Sequence, residues 1–146
     1  ADFAVLNRGD FRGPQGLPIF KPPYSRIVAI DMNTGEHLWE TPNGDTPDRI
    51  RNHPALEQVD VPNTGRLSHP VTMVTKTLVI TAEGTGGTPR LHALDKGTGD
   101  RLGTVRLPAS GQYGMMGYQH DGRQYIVVQV AGPDLPGSLA ALRLPE

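Results

Sequence analysis

One strand–turn–strand segment occurs twice in this chain, beginning at Arg26 and again at Arg90, an offset of 64 residues. Each copy reads as a strand that ends in Ala-x-Asp, a tight turn that contains Thr-Gly, and a return strand. The glycine supplies the positive φ that such a turn requires. A third copy at 138–142 repeats only the first strand. A unit of this length that recurs without helices predicts propeller blades rather than a solenoid.

The distribution of apolar residues supports an all-β fold. The 146 residues include 18 Gly and 14 Pro, which disfavour helix interiors and exclude a helical bundle. The apolar residues form short runs between turn-forming residues, as in strands. These runs are Ile27–Ile30, Val71–Val74, Leu78–Ile80, Leu91–Leu94, Tyr125–Val130 and Leu139–Leu144. Sandwiches, barrels and propellers all fit such runs, and the repeat favours a partial β-propeller.

Two further strand signals precede the second hairpin, at 71–75 and 77–82, and two more at 113–118 and 123–131 precede the third copy. These signals predict four strands in each unit. Irregular stretches rich in Gly and Pro connect the units. We therefore predict a single incomplete propeller segment over 1–146, divided into a connecting region 1–24, the end of one blade 25–41, an inter-blade insertion 42–70, a blade 71–107 and a partial last blade 108–146.

Charge and cysteine content exclude several classes of function. The 14 basic and 15 acidic residues give a net charge of -1, which provides no basic surface for nucleic acid. Disulfides, thiolate zinc sites and a cysteine nucleophile are excluded because the chain has no cysteine. No apolar run approaches the roughly 20 residues that a transmembrane helix needs, so we expect no membrane span.

The first copy of the hairpin resembles a known family motif. Ala29, Asp31, Thr34, Gly35 and Trp39 fill the pattern Ala-x-Asp-x-x-Thr-Gly-x-x-x-Trp. This pattern is similar to the tryptophan-docking repeat of the pyrroloquinoline quinone (PQQ) dehydrogenases. We expect the tryptophan ring to pack between neighbouring blades and its indole N–H to find a backbone acceptor there. We expect the aspartate to accept hydrogen bonds from amides of the turn.

The second copy departs from the motif because Gly103 stands where the tryptophan would be. We therefore expect a weaker or differently filled blade junction at that position. Asp31 and Asp95, the two aspartates of the repeat, are interpreted as turn-stabilising residues rather than catalytic carboxylates.

The flanking segments 16–24, 42–45 and 122–128 resemble the C-terminal part of a membrane-associated, glucose-dehydrogenase-type quinoprotein. The resemblance covers nearly all of the chain. It implies an eight-bladed propeller of which about two to three four-stranded blades lie in this chain. It also implies PQQ near the propeller axis together with Ca²⁺ or Mg²⁺, and oxidation of a sugar or an alcohol in the periplasm.

The resemblance also implies that parts of the enzyme lie elsewhere. No segment here matches the family's aspartate base or its metal-binding residues, so we assign no catalytic or metal residue and expect no catalysis by this chain alone. Either other chains supply the remaining blades, or this chain is a fragment of the enzyme. We expect the isolated chain to self-associate through its open strand edges. The alternative function is a non-enzymatic propeller segment that acts as an assembly or protein-interaction scaffold.

Three residues are candidates for contact with the cofactor. Lys21 lies between Phe20 and two prolines, on a stiff loop that could direct an ammonium group to a quinone oxygen or carboxylate. Arg66 and His69 lie just before a candidate innermost strand, where loops face the axis of a propeller. The alternative for Lys21 is a solvated loop lysine. The other histidines are scattered without metal-ligand spacing.

Overall fold

The structure, a computed structural model, describes residues 12–13 and 15–143. Strands predominate in this part of the chain, and its helical elements are α1 (Asp48–Arg51) and a 3₁₀ turn at Pro54–Leu56. The strands are β1 (Arg26–Ile30), β2 (His37–Pro42), β3 (His69–Val74), β4 (Leu78–Thr85), β5 (Arg90–Asp95), β6 (Arg101–Arg106), β7 (Ser110–His120), β8 (Arg123–Gly132) and β9 (Leu135–Arg143). The predicted all-β class is confirmed.

The strands form three antiparallel sheets in which sequence neighbours are also spatial neighbours. The first sheet pairs β1 with β2, the second has the order β3-β4-β5-β6, and the third has the order β7-β8-β9. Only the second sheet has four strands among the described residues. Strand β2 ends at Pro42 and β3 begins at His69, so both flanking strands reach into the stretch that was predicted as an insertion.

The apolar core lies between the second and third sheets. Val128 and Val130, alternate residues of β8, are fully buried, as is Ala82 of β4. Gly111 of β7 lets the sheets approach closely, because a Cβ at that position would lie 2.6 Å from the Cβ of Ala82. The buried members of the core are Ile80, Ala82, Leu91, Leu107, Ala109, Val128 and Val130.

Trp39 joins the first sheet to the second. Its indole Nε1 donates to the backbone oxygen of Lys96 at 2.9 Å, in the turn between β5 and β6. Gly99 of the same turn lies under the ring, where a Cβ would be 2.5 Å from the Trp39 Cε3 atom. The tryptophan of the first hairpin thus packs on the glycine turn of the second, and the expected backbone acceptor is confirmed. The ring is half-buried rather than fully enclosed.

We expect Trp39→Ala to lower the free energy of unfolding by about 2–3 kcal/mol, below the range for a fully buried aromatic because the ring is partly exposed. Trp39→Phe keeps much of the ring contact and loses only the bond to Lys96, so its cost should be about 1 kcal/mol. Urea unfolding followed by circular dichroism measures both variants. Equal, negligible losses would show that the ring does not join the sheets.

The two aspartates of the repeat stabilise turns. The Asp31 side chain accepts from the Asn33 amide at 2.7 Å, and the Asp95 side chain accepts from the Gly97 amide at 2.7 Å. The glycine that follows in the second turn, Gly99, has a φ of 78°. The structural interpretation of both carboxylates is confirmed.

Candidate functional site

Three segments of the chain cross at Asn43, directly after β2. The backbone N–H of Asn43 donates to Ser25 O at 2.9 Å, and its oxygen accepts from the Arg66 N–H at 2.8 Å. Beside them the Tyr24 N–H donates to Thr64 O at 2.7 Å. These bonds join the segment before β1, the residue after β2 and the loop that leads into β3.

Gly65 permits this crossing. Its φ is 63°, in the left-handed region that favours glycine. A side chain at 65 would collide with Ser25 O and lie 3.2 Å from Asn43 O. The loop before β3 therefore lies directly against the other two segments.

Arg66 is half-buried at this crossing, and its Nε atom is fully buried without a hydrogen-bond partner among the described residues. No carboxylate in the described part of the chain forms an ion pair with its guanidinium group. A half-buried cation without a protein anion is costly, and such groups commonly face an anionic ligand.

His69 is exposed and begins β3, where it pairs with Thr85 of β4. The register shifts between His69 and Val71, which is a bulge. Gly84 has a φ of 78°, and a Cβ there would overlap the backbone carbonyl of His69. This glycine therefore fixes the path of the chain at His69.

Lys21 is exposed and lies three residues before Tyr24. Three residues span at most about 10 Å, so the lysine cannot lie far from the crossing. The structure thus places Arg66 in the loop before β3 and His69 at the start of β3, and Tyr24 connects the Lys21 segment to that loop. It shows no direct contact among the three side chains, and their contact with a cofactor stays a prediction.

A buried polar network in the second sheet was missed from the sequence. Glu83 and His92 are 1% and 2% exposed, and His92 Nε2 lies 3.0 Å from Glu83 Oε1. His92 Nδ1 lies 2.8 Å from Thr104 Oγ1, and Glu83 Oε2 accepts from the Thr88 amide at 2.8 Å. The carboxylate also packs against Gly44, where a Cβ would lie 2.9 Å from Glu83 Cδ.

Burial opposes ionisation of Glu83, but the hydrogen bonds from His92 and from Thr88 outweigh it. The pKa of Glu83 is therefore lowered from its ordinary value. Since Thr88, His92 and Thr104 take up the polar atoms of the pair, the network holds β4, β5 and β6 together rather than presenting a reactive group.

Asp45 forms the second link between the first hairpin and the second sheet. Its carboxylate bonds to Arg90 at 2.7 Å and to Arg101 at 2.8 Å. The hydrogen bond from Arg101 lowers the pKa of Asp45 most, partial burial opposes the shift, and Arg90 adds to it.

We expect Asp45→Asn to lower the free energy of unfolding at pH 7 by about 1 kcal/mol, since both ion pairs are partly solvated. Because folding lowers the pKa of Asp45, its ionised form stabilises the fold above its ordinary value of 3.8. That stabilisation is lost as the pH falls through the lower pKa of the folded state. Chemical denaturation between pH 7 and pH 2, at low and high salt, tests this. A difference in the free energy of unfolding between wild type and variant that changes with neither pH nor salt would contradict this expectation.

The described residues contain no group of three His, Asp or Glu side chains that could hold a metal ion. Two shallow clefts, each of about 450 Å³, lie elsewhere. One is lined by residues of β3, β7 and β8, and the other by the segment 51–59. Lys21, Arg66 and His69 line neither of them.

Stacked antiparallel sheets joined through a tryptophan and a glycine turn define a section of a β-propeller. Residues 2–126 match the family described as PQQ glucose/ethanol/alcohol dehydrogenase, beta-propeller domain. The chain belongs to this family of PQQ-dependent dehydrogenases.

Three relatives illustrate the match. A probable quinate dehydrogenase (quinone) of Xanthomonas campestris pv. juglandis is 30% identical over 97% of this chain and 18% of its own length. The quinoprotein glucose dehydrogenase of Escherichia coli K12 is 34% identical over 84% of this chain and 15% of its own. The glycerol dehydrogenase large subunit of Gluconobacter oxydans 621H is 31% identical over 80% of this chain and 16% of its own length. The chain spans less than a fifth of the length of these curated relatives.

Within the part of the chain that the structure describes, no helix has both the length and the apolar character needed to cross a membrane.

Proposed function

We propose that this chain is the C-terminal section of a PQQ-dependent dehydrogenase that oxidises a sugar or an alcohol in the periplasm. The relatives are named for glucose, quinate and glycerol, which are all polyhydroxy compounds. This chemistry supports a substrate with a hydroxyl-bearing carbon. Because the chain spans under a fifth of those proteins, we propose that it does not catalyse the oxidation alone.

The observation that supports a cofactor contact is the half-buried guanidinium of Arg66, which forms no ion pair with a carboxylate of the described residues. PQQ has three carboxylates, and the two terminal nitrogens of a half-buried arginine suit one of them. Lys21 and His69 would add a second and a third donor near it. The residues present therefore fit the group.

When bound, the quinone of PQQ supplies two-electron oxidation chemistry. The residues of this chain would bind its carboxylates and orient it, with Arg66 as the main anchor. Asp31 and Asp95 are engaged by turn amides, so neither is offered as the base. We propose that the base and the ligands of Ca²⁺ or Mg²⁺ lie in blades outside this chain.

The remaining blades would come from other polypeptide segments or chains, with self-association as the alternative. Met116 and Leu139 of the third sheet are 57% and 75% exposed, and they lie on strands whose other face packs on the core. Exposed apolar residues of this kind favour a further protein surface as neighbour. Native mass spectrometry of the PQQ-binding material would identify that neighbour.

A titration with PQQ of the purified protein assembled with its remaining blades, followed by absorbance and calorimetry, tests the cofactor contact. We expect Arg66→Ala to raise the Kd about 10-fold or more, since a charge-assisted bond is lost. Lys21→Ala and His69→Ala should raise the Kd by smaller factors and leave the melting temperature nearly unchanged, because both side chains are exposed.

Matched controls are Lys76→Ala, Arg106→Ala and His120→Ala, which remove exposed side chains of the same types. The controls should leave the Kd unchanged. Absence of PQQ binding by the wild-type protein, or an equal loss in the controls, would reject the assignment of Lys21, Arg66 and His69.

A further inference from the structure

Two buried polar atoms at the segment crossing lack a protein partner among the described residues, namely Asn43 Oδ1 and Arg66 Nε. Asn43 is only 1% exposed, and its Nδ2 group donates to Ser68 Oγ at 3.0 Å, which holds the side chain against the loop before β3. The backbones of Asn43 and Arg66 are themselves hydrogen-bonded at 2.8 Å. Buried polar atoms left without a hydrogen bond are costly, and ordered water commonly satisfies them.

The chemistry of the two atoms defines which group could bond to both of them. Arg66 Nε–H only donates a hydrogen bond, and the Asn43 oxygen only accepts one. An anion would bond to the arginine but be repelled by the amide oxygen. A cation would bond to the amide oxygen but be repelled by the arginine. A neutral group that both donates and accepts satisfies both atoms, and water is the smallest such group.

We propose that Asn43 is a positioning residue that holds the Arg66 guanidinium through ordered water. The water occupies Nε and leaves the two terminal nitrogens of the guanidinium for an anionic ligand. Asn43 also bonds to Ser25 and Ser68, so one buried residue anchors the segments that lead to Lys21 and to His69. The ligand part of this inference rests on the proposed function, whereas the water bridge does not.

Hydrogen exchange of the Arg66 Nε–H, measured by ¹⁵N NMR in the absence of PQQ, tests the bridge. We expect slow exchange in the wild-type protein and exchange on the order of 10-fold faster in Asn43→Ala, because the bridging water loses its second partner. Asn52→Ala removes an exposed asparagine and should change nothing. Equal exchange in the wild type and Asn43→Ala, with core amides still protected, would overturn the bridge.

Asn43→Asp tests the consequence for the ligand. A carboxylate at 43 would pair with the Arg66 guanidinium and compete with PQQ, so the Kd at pH 7 should rise on the order of 10-fold. The affinity should recover as the introduced carboxyl group is protonated at lower pH. In an Arg66→Ala background the same substitution should have no further effect.

The outcomes separate the two proposals. If Asn43→Asp lowers the affinity for PQQ equally at every pH, and also in the Arg66→Ala background, Asn43 has a purely structural role. That result would overturn the positioning inference. If the wild type binds no PQQ but the Nε–H exchange responds to Asn43→Ala, the proposed function fails and the water bridge stands.

Discussion

Replacing Gly84 by alanine is expected to lower the free energy of unfolding by about 4 kcal/mol or more, an effect larger than most single substitutions produce. The φ of Gly84 is 78°, where an L side chain is strained. A Cβ at this position would overlap the His69 carbonyl and lie 3.0 Å from Pro70 N. Backbone atoms cannot turn aside as the end of a flexible side chain can, so β3 would have to move away from β4.

Gly103→Ala is the matched control, because it adds the same methyl group to a strand of the same sheet. A Cβ at 103 meets no atom within 4 Å, and its strand is exposed. We expect this control to change the free energy of unfolding by no more than about 0.5 kcal/mol. Urea unfolding of both variants makes the comparison, and similar stability for the two would refute the close approach of Gly84 and His69.

The hairpins could be predicted from the sequence because their determinants are local. Asp31 and Gly35 lie four residues apart, and the turn that they form needs no distant partner. The tryptophan-docking motif that the first copy resembles also predicted that Trp39 packs between neighbouring blades. Its docking residue, Gly99, occupies in the second copy the position that Gly35 holds in the first.

The crossing at Asn43 could not be predicted, since it joins residues that are far apart in sequence. Asn43 bonds to Ser25 and Arg66 through backbone atoms, which have no sequence signature. The burial of Glu83 could not be predicted from the sequence either. Strand β4 is buried on both faces from Val79 to Gly84, so its sequence lacks the alternation that reveals a polar face.

Glu83 and His92 are the most strongly buried ionisable pair of the described residues. His92 is opposite Thr81 in the pairing of β4 with β5 and opposite Thr104 in the pairing of β5 with β6. Glu83 is two residues from Thr81, so it is a diagonal neighbour of His92 on the same face. Removing either partner leaves the other buried without its main hydrogen bond, which typically costs about 3–5 kcal/mol.

We therefore expect Glu83→Leu and His92→Leu each to lower the free energy of unfolding by about 3 kcal/mol, and the double variant to lose about 2 kcal/mol less than the sum. The reason is that the second substitution removes the very group that the first left unpaired. Because folding lowers the pKa of Glu83 below 4.5, the cost of Glu83→Leu should shrink as the pH falls through that lower pKa. Chemical denaturation of the wild type, the two single variants and the double variant at pH 7 and pH 3 completes this double-mutant cycle. Additive losses within about 0.5 kcal/mol would show that the two residues stabilise the sheet independently.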